Sequence, residues 1–430
     1  MVNYQETINY LFSALPMFHR VGVAAYKPNL DNTLVLANAL GNPQQHLKCI
    51  HVAGTNGKGS TSHMLASILQ AAGFNVGLYT SPHLKDFRER IKINGEMVSE
   101  EWLTNYVQKN KKLYDEIHPS FFEMSTIMAF SYFAEMKTDI NVIETGLGGR
   151  LDSTNIISPE LSIITNIAWD HMNLLGNTIE KIAIEKGGII KEKISVVISE
   201  TQKETTSIFT NIAKEKHSEI YFADANFKIE IQHYNLLEDR MQFSVLKNNI
   251  EYLDALSCDL TGQYQLKNLL GVFQSIELIR EKYAISDEHI RHGLSAVKEN
   301  TGLKGRWQIL SRNPLTICDT GHNEQGLIEV LSMLEKIPHQ KLHFVLGVVD
   351  DKDLSKMLKM LPKKAQYYFC KADIPRGLSP DILQNNAHRF DINGETYNSV
   401  TLALETAKLN AKPEDLIFIG GSTFTVAEII

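Results

Sequence analysis

Residues 49–61, CIHVAGTNGKGST, constrain the fold more than any other part of this 430-residue chain. A short apolar strand runs into a loop containing Gly54, Gly57, Gly59 and Lys58, and a helical pattern follows it. Glycines let backbone N–H groups approach an anion without Cβ clashes, the lysine adds a point charge, and the helix offers its positive end. The segment therefore predicts a phosphate cradle, with Gly54, Gly57, Gly59, Lys58 and the hydroxyl residues Ser60 and Thr61 in the loop. It is not the common GxxxxGK[ST] pattern, because Val52 and Gly59 stand where that pattern has glycine and a hydroxyl residue.

A strand feeding a phosphate loop belongs to an α/β sheet, and the remaining sequence repeats that alternation. Apolar runs at 48–53, 75–79, 139–144, 161–166 and 195–199 read as strands. Helical patterns at 58–72, 100–117, 122–135 and 178–190 lie between them. Such alternation predicts a mostly parallel sheet covered on both faces. Residues 226–247 break the rhythm as an antiparallel hairpin, and helices follow at 263–282 and 287–298. After a turn-like stretch at 300–305, strands at 315–319, 341–347, 365–370 and 415–419 form a second block. The expected architecture is a nucleotide-binding α/β domain over 1–299 and a smaller α/β domain over 300–430.

Composition narrows the function. The chain is 43% hydrophobic and 22% charged, as a globular protein is. A net charge of −7 without a basic stripe argues against nucleic acid as a partner. No apolar run approaches the length of a membrane span, and the N-terminal residues lack the pattern of a signal peptide. Cys49, Cys258, Cys318 and Cys370 form no CxxC pair and fit reduced thiols in a cytoplasmic protein.

Ligands of open α/β sheets gather at the carboxyl ends of strands. There the sequence places Ser81 and His83, then Glu144 before TGLGGRLDSTN, then Asp170 and His171. A hydroxyl, a carboxylate and an imidazole beside a phosphate loop can hold magnesium, although that ion favours oxygen over nitrogen. The alternative pairs Glu144 with Arg150 and leaves His171 capping a turn. Lys186, ahead of two glycines, reads by pattern as a surface lysine with a snorkelling stem, the alternative being a lysine of lowered pKa that acts chemically.

Together these segments resemble the folylpolyglutamate synthase/dihydrofolate synthase family of the Mur ligase superfamily. HVAGTNGKGST, LYTSPHLKDFRERIKING, FFEMSTIMAF, IETGLGGRLDSTN, ITNIAWDHMNLLG, IEKGGIIK, GQYQLKN, KGRWQIL, CDTGHN and GGSTFTVAEI occur in family order along nearly the whole chain. The resemblance implies a P-loop-type N-terminal ATPase domain, a Rossmann-like C-terminal domain and ATP between them. It implies an ATP-dependent ligase joining L-glutamate to dihydropteroate or a folate. Lys58, Glu144, His171 and Lys186 are then catalytic; Ser81, Glu144, His171 and Lys186, the last as a carbamate, hold magnesium, two ions being expected. By the same resemblance Gly54, Asn56, Gly57, Lys58, Gly59, Ser60 and Thr61 hold the triphosphate, and Asn268, Arg306, Asp319 and His322 match nucleotide contacts. The segments Ser81–Arg90, Phe121–Thr126 and Leu151–Asn155, with His83, Arg88, Phe121, Phe122 and Asp152, match the acceptor region. The chain departs from the family where Asp319-Thr320-Gly321-His322-Asn323 replaces DGAHN and Lys304-Gly305-Arg306 replaces PGR. A monomer with small-molecule partners is expected. A Mur-type ligase for a UDP-linked precursor and a non-catalytic nucleotide switch are the rival readings.

Overall fold

The computed structural model describes residues 3–15, 27–350 and 354–430. They divide into two compact units. The first runs to Tyr234 and adds Arg240–Asp259 and Tyr264–Leu303; the second combines Asn235–Asp239, Leu260–Gln263 and Lys304–Ile430. The units therefore part at 303/304 rather than 299/300, and two short earlier segments cluster with the second.

The first unit is built on eight strands: β1 (Cys49–Ala53), β2 (Val76–Tyr79), β3 (Ile91–Ile93), β4 (Glu96–Met97), β5 (Ile140–Glu144), β6 (Leu161–Ile164), β7 (Val196–Ile198) and β8 (Ile220–Phe222). Their order is β4-β3-β2-β5-β1-β6-β7-β8. Pairings from β2 to β8 are parallel, and only the β3 and β4 edge is antiparallel. Every residue of β1, β2, β5 and β6 is buried, which is why these strands read as continuous apolar runs. The chain steps from β1 across β5 to β2 and later returns across β1 to β6, so the ends of β1, β5 and β6 form a topological switch point.

The helix Lys58–Ala71 leaves β1 and is buried from Ser60 through Leu69. Polar side chains of so enclosed a helix find partners on neighbouring elements. Ser67 accordingly donates to Gly293 O at 2.6 Å, and His63 Nδ1 lies 2.7 Å from Thr301 Oγ1. The helix Phe121–Glu135 starts in a capping box: Ser120 Oγ accepts from Glu123 N, and Glu123 Oε2 accepts from Ser120 N. The hairpin at 226–247 is part of a three-stranded antiparallel sheet, β9 (Phe227–His233), β10 (Met241–Lys247) and β11 (Ile250–Cys258). The helix expected over 287–298 is two, Asp287–Ser295 and Val297–Thr301, broken at Ala296.

The second unit has six strands: β12 (Gln308–Arg312), β13 (Leu315–Cys318), β14 (Leu342–Gly347), β15 (Gln366–Cys370), β16 (Gly394–Tyr397) and β17 (Leu416–Gly420). Their order is β12-β13-β17-β14-β15-β16, with β12 alone antiparallel. All four cysteines are free and buried. Among the described residues, no helix is long and apolar enough to cross a membrane.

Candidate active site

The phosphate loop takes its shape from close neighbours. At Gly54, φ is +144° and a Cβ would fall 1.8 Å from Thr165 Oγ1. At Gly57, φ is +85° and a Cβ would fall 2.1 Å from Asn268 Oδ1. No other residue type fits either place. The chain after β6 braces the loop: Thr165 Oγ1 donates to Asn56 O at 2.6 Å, Asn56 N donates to Asn166 Oδ1 at 2.9 Å, and Thr55 N donates to Asn166 O at 2.9 Å. Asn268 donates to Gln265 Oε1, which in turn donates through Nε2 to Ser60 Oγ. The structure thus brings Asn268 against the loop.

Gly57 is the N-cap and supplies no side-chain acceptor. The first intrahelical bond runs from Thr61 N to Gly57 O at 2.9 Å. The amides of Lys58, Gly59 and Ser60 are therefore the unpaired donors of the first turn, left for an anion at the positive end. Thr61 is fully buried, and its Oγ1 has no hydrogen-bond partner among the described residues. Lys58 Nζ donates to Thr55 O at 3.2 Å, folded over its own loop.

Lys186 overturns the surface reading. It lies in the last turn of the helix Ile179–Gly187, is 4% exposed, and donates through Nζ to Gly54 O at 2.7 Å. It shares the buried face of that helix with Ile182 and Ala183, four and three residues before it. Burial, and then the charge of Lys58, bring its pKa down to about 7. Asp170 and Asp152 act the other way, so all four groups share one electrostatic neighbourhood.

Glu144, at the end of β5, accepts from Ser81 N at 3.1 Å, which places the two expected ligands side by side. Arg150 gives its guanidinium to Glu185, at 2.8 Å and 3.1 Å. His171 occupies the N-cap of the helix Met172–Leu175 without capping it through its side chain, and its Nε2 is 3.7 Å from Asp170 Oδ1. Among the described residues no three His, Cys, Asp or Glu side chains cluster as a metal site. The expected set contains only two such residues, and its remaining oxygens come from the Ser81 hydroxyl and a carbamate on Lys186.

Asp152 is 4% exposed, and its Oδ2 accepts from Gly146 N and Leu147 N while Oδ1 accepts from Thr154 N and Thr154 Oγ1. These bonds clamp the loop after β5. Thr154 Oγ1 also meets His51 Nε2 at 2.8 Å, and burial holds that imidazole neutral with a pKa of about 3. Arg88 spends its fork on Asp86 at 2.6 Å and 3.0 Å, adds Glu100 at 3.2 Å, and covers the Tyr4 ring. Phe121 is core, packed on Phe87 and Phe12. Phe122 stays half-buried against Gly146 and Tyr79. His83 Nδ1 accepts from Arg90 Nε at 2.7 Å. The sequence singles out no role for His51, which sits inside an apolar strand, and includes Arg90 only as the end of the acceptor segment Ser81–Arg90.

In the second unit Arg306, Asp319 and His322 gather where β13 ends. Asp319 Oδ2 accepts from Trp307 N and its Oδ1 from Gly321 N, both at 2.7 Å. Arg306 bonds to Thr320 Oγ1, and His322 Nδ1 lies 3.0 Å from Thr320 O. The displaced glycine of this motif thus packs directly on Asp319.

The fold and this site define a Mur ligase: residues 52–276 match the Mur ligase middle domain and residues 305–423 the Mur ligase glutamate ligase domain. The chain is 36% identical over 415 residues to the dihydrofolate synthase/folylpolyglutamate synthase of Bacillus subtilis, covering 94% of each. It is 31% identical to a probable bifunctional folylpolyglutamate synthase/dihydropteroate synthase of Haloferax volcanii, spanning 99% of this chain and half the length of that relative. Escherichia coli FolC with DHPP and ADP superposes with a TM-score of 0.85 at 27% identity, covering 99% of this chain and 96% of that one. A bifunctional folylpolyglutamate synthase/dihydrofolate synthase with Mn, AMPPNP and L-glutamate gives 0.83 at 28% identity, covering 99% and 97%. The chain belongs to the dihydrofolate synthase/folylpolyglutamate synthase family.

Proposed function

We propose that this protein is an ATP-dependent amide ligase that adds L-glutamate to dihydropteroate, to folate glutamates, or to both. The observation that carries the reading is the open N-terminus at Lys58–Ser60, with Lys186 on the loop carbonyl and the Ser81–Glu144 pair at a neighbouring strand end. A carboxylate is a poor electrophile, so it takes the γ-phosphoryl group of ATP and becomes an acyl phosphate. The glutamate amine then attacks the acyl carbon, and phosphate leaves as the amide forms. The loop amides and Lys58 hold the phosphates and offset the charge that gathers during transfer.

Ser81, Glu144, His171 and carbamylated Lys186 suit one or two magnesium ions, which supply charge neutralisation on the phosphates. A lysine near neutral pKa and closed off from water has the free amine that carbon dioxide requires. Arg306, Asp319 and His322 are the candidate nucleotide contacts of the second unit. The four buried thiols fit a reducing cytoplasm, and a monomer is sufficient for this chemistry. The test is phosphate release from ATP by purified protein, with and without dihydropteroate and glutamate, and mass spectrometry of the product. Release that needs both and yields the glutamyl amide is expected; release indifferent to them would sink the reading.

A further inference from the structure

Arg90 is 3% exposed, and its Nε donates to His83 Nδ1 at 2.7 Å. Its guanidinium covers the Phe121 ring at 5.3 Å from the centroid and lies against the Tyr79 hydroxyl, which also meets Ser125 at 3.0 Å. The charges that act on it are Glu144 from β5 and Glu89 from its own turn. Glu89 is already saturated by the amides of Leu84, Lys85 and Asp86. No carboxylate of the described residues forms an ion pair with Arg90. A buried guanidinium without an anion is costly, and an arginine fork is shaped for a carboxylate. The aromatic groups beside it suit the flat body of an acceptor, and Glu144 marks the side on which phosphoryl transfer is expected.

We propose that Arg90 binds the carboxylate of the acceptor, the group that ATP activates. This rests on the ligase reading above and deepens it. The incoming amino acid fits less well, because its ammonium group would lie against the same cation.

The test compares pteroic acid with its carboxamide, titrated by fluorescence in the presence of magnesium and a non-hydrolysable ATP analogue. The wild type should prefer the acid by about ten- to a hundredfold. Arg90→Met should bring that ratio close to one while affinity for the ATP analogue holds. Arg90→Lys, which keeps charge but loses the fork, should fall between them. If Arg90→Met does not fold, the Arg90→Lys ratio decides. An acid-to-amide ratio unchanged by the folded variant would overturn the proposal, as would a wild type that binds both forms equally. A wild type that binds the ATP analogue but neither acceptor form would instead overturn the ligase reading.

Discussion

Lys186 carries its amine to a place that disfavours its charge, and its pKa of about 7 makes the folded protein sensitive to pH. The unfolded lysine titrates near 10.5. Below about pH 7 both states hold the proton, and the folded state bears the full cost of burying it. Between 7 and 10.5 only the unfolded state still binds it, so stability from this group rises with pH. Lys186→Met should therefore stabilise the protein more at pH 6 than at pH 10, read as urea midpoints in metal-free, CO2-free buffer. Parallel pH slopes for the two proteins would show that the buried amine is not the cause. Lys58→Ala should not lower the melting temperature, because the lysine side chain bonds to Thr55 O at 3.2 Å and its charge opposes that of Lys186, while ligation falls by about 10²–10³. Wild-type turnover in that variant would remove Lys58 from the phosphate site. The inward position of Lys186 was legible only in its helical phase, i+4 from Ile182 and i+3 from Ala183 on the buried face, whereas Lys181 points elsewhere. A charged residue on an apolar stripe reads by residue type as a snorkelling surface lysine.

The loop from Thr145 to Asn155 shows how an element acquires a fixed form. Asp152 satisfies the amides of Gly146 and Leu147, and Thr154 connects it to His51 in β1. Asp152→Ala strands three amide donors, those of Gly146, Leu147 and Thr154, at about 1–3 kcal/mol each if they stay buried. A lower melting temperature and weaker magnesium-dependent ATP use are expected together, because Glu144 precedes the loop. An unchanged melting curve with only a raised KM for the acceptor would return Asp152 to the acceptor pocket. Thr154→Val should reproduce part of the loss, and Thr154→Ser should restore it, in the same calorimetric scan. The parallel strands around β1 were legible because both faces are buried. Strand β11 was not: its burial alternates irregularly, and Ala255, at φ +45°, interrupts the pattern beside register shifts against β10. The short edges β3, β4 and β8 carry too few residues to show a period.

Across the whole molecule, sequence order and spatial membership diverge. The second unit takes Asn235–Asp239 and Leu260–Gln263 from within the run of the first. Trp307, 1% exposed, donates through Nε1 to Leu236 O, and Gln263 N meets Met333 Sδ at 3.1 Å. A fragment of residues 304–430 lacks those partners. Its single tryptophan, Trp307, should emit at the wavelength of a solvated indole, and its amide signals should be poorly dispersed. A blue-shifted emission and a cooperative melt would show that the two short segments are dispensable.

That interleaving also limits how such a protein can be recombined. A crossover at 303/304 would pass on six strands together with their helices, yet leave Leu236 and Gln263 in the donor's other half. Exchange between relatives should therefore succeed only where both short segments travel with the second unit or match it already. Inheritance of the two halves is thereby coupled, even though each has its own sheet.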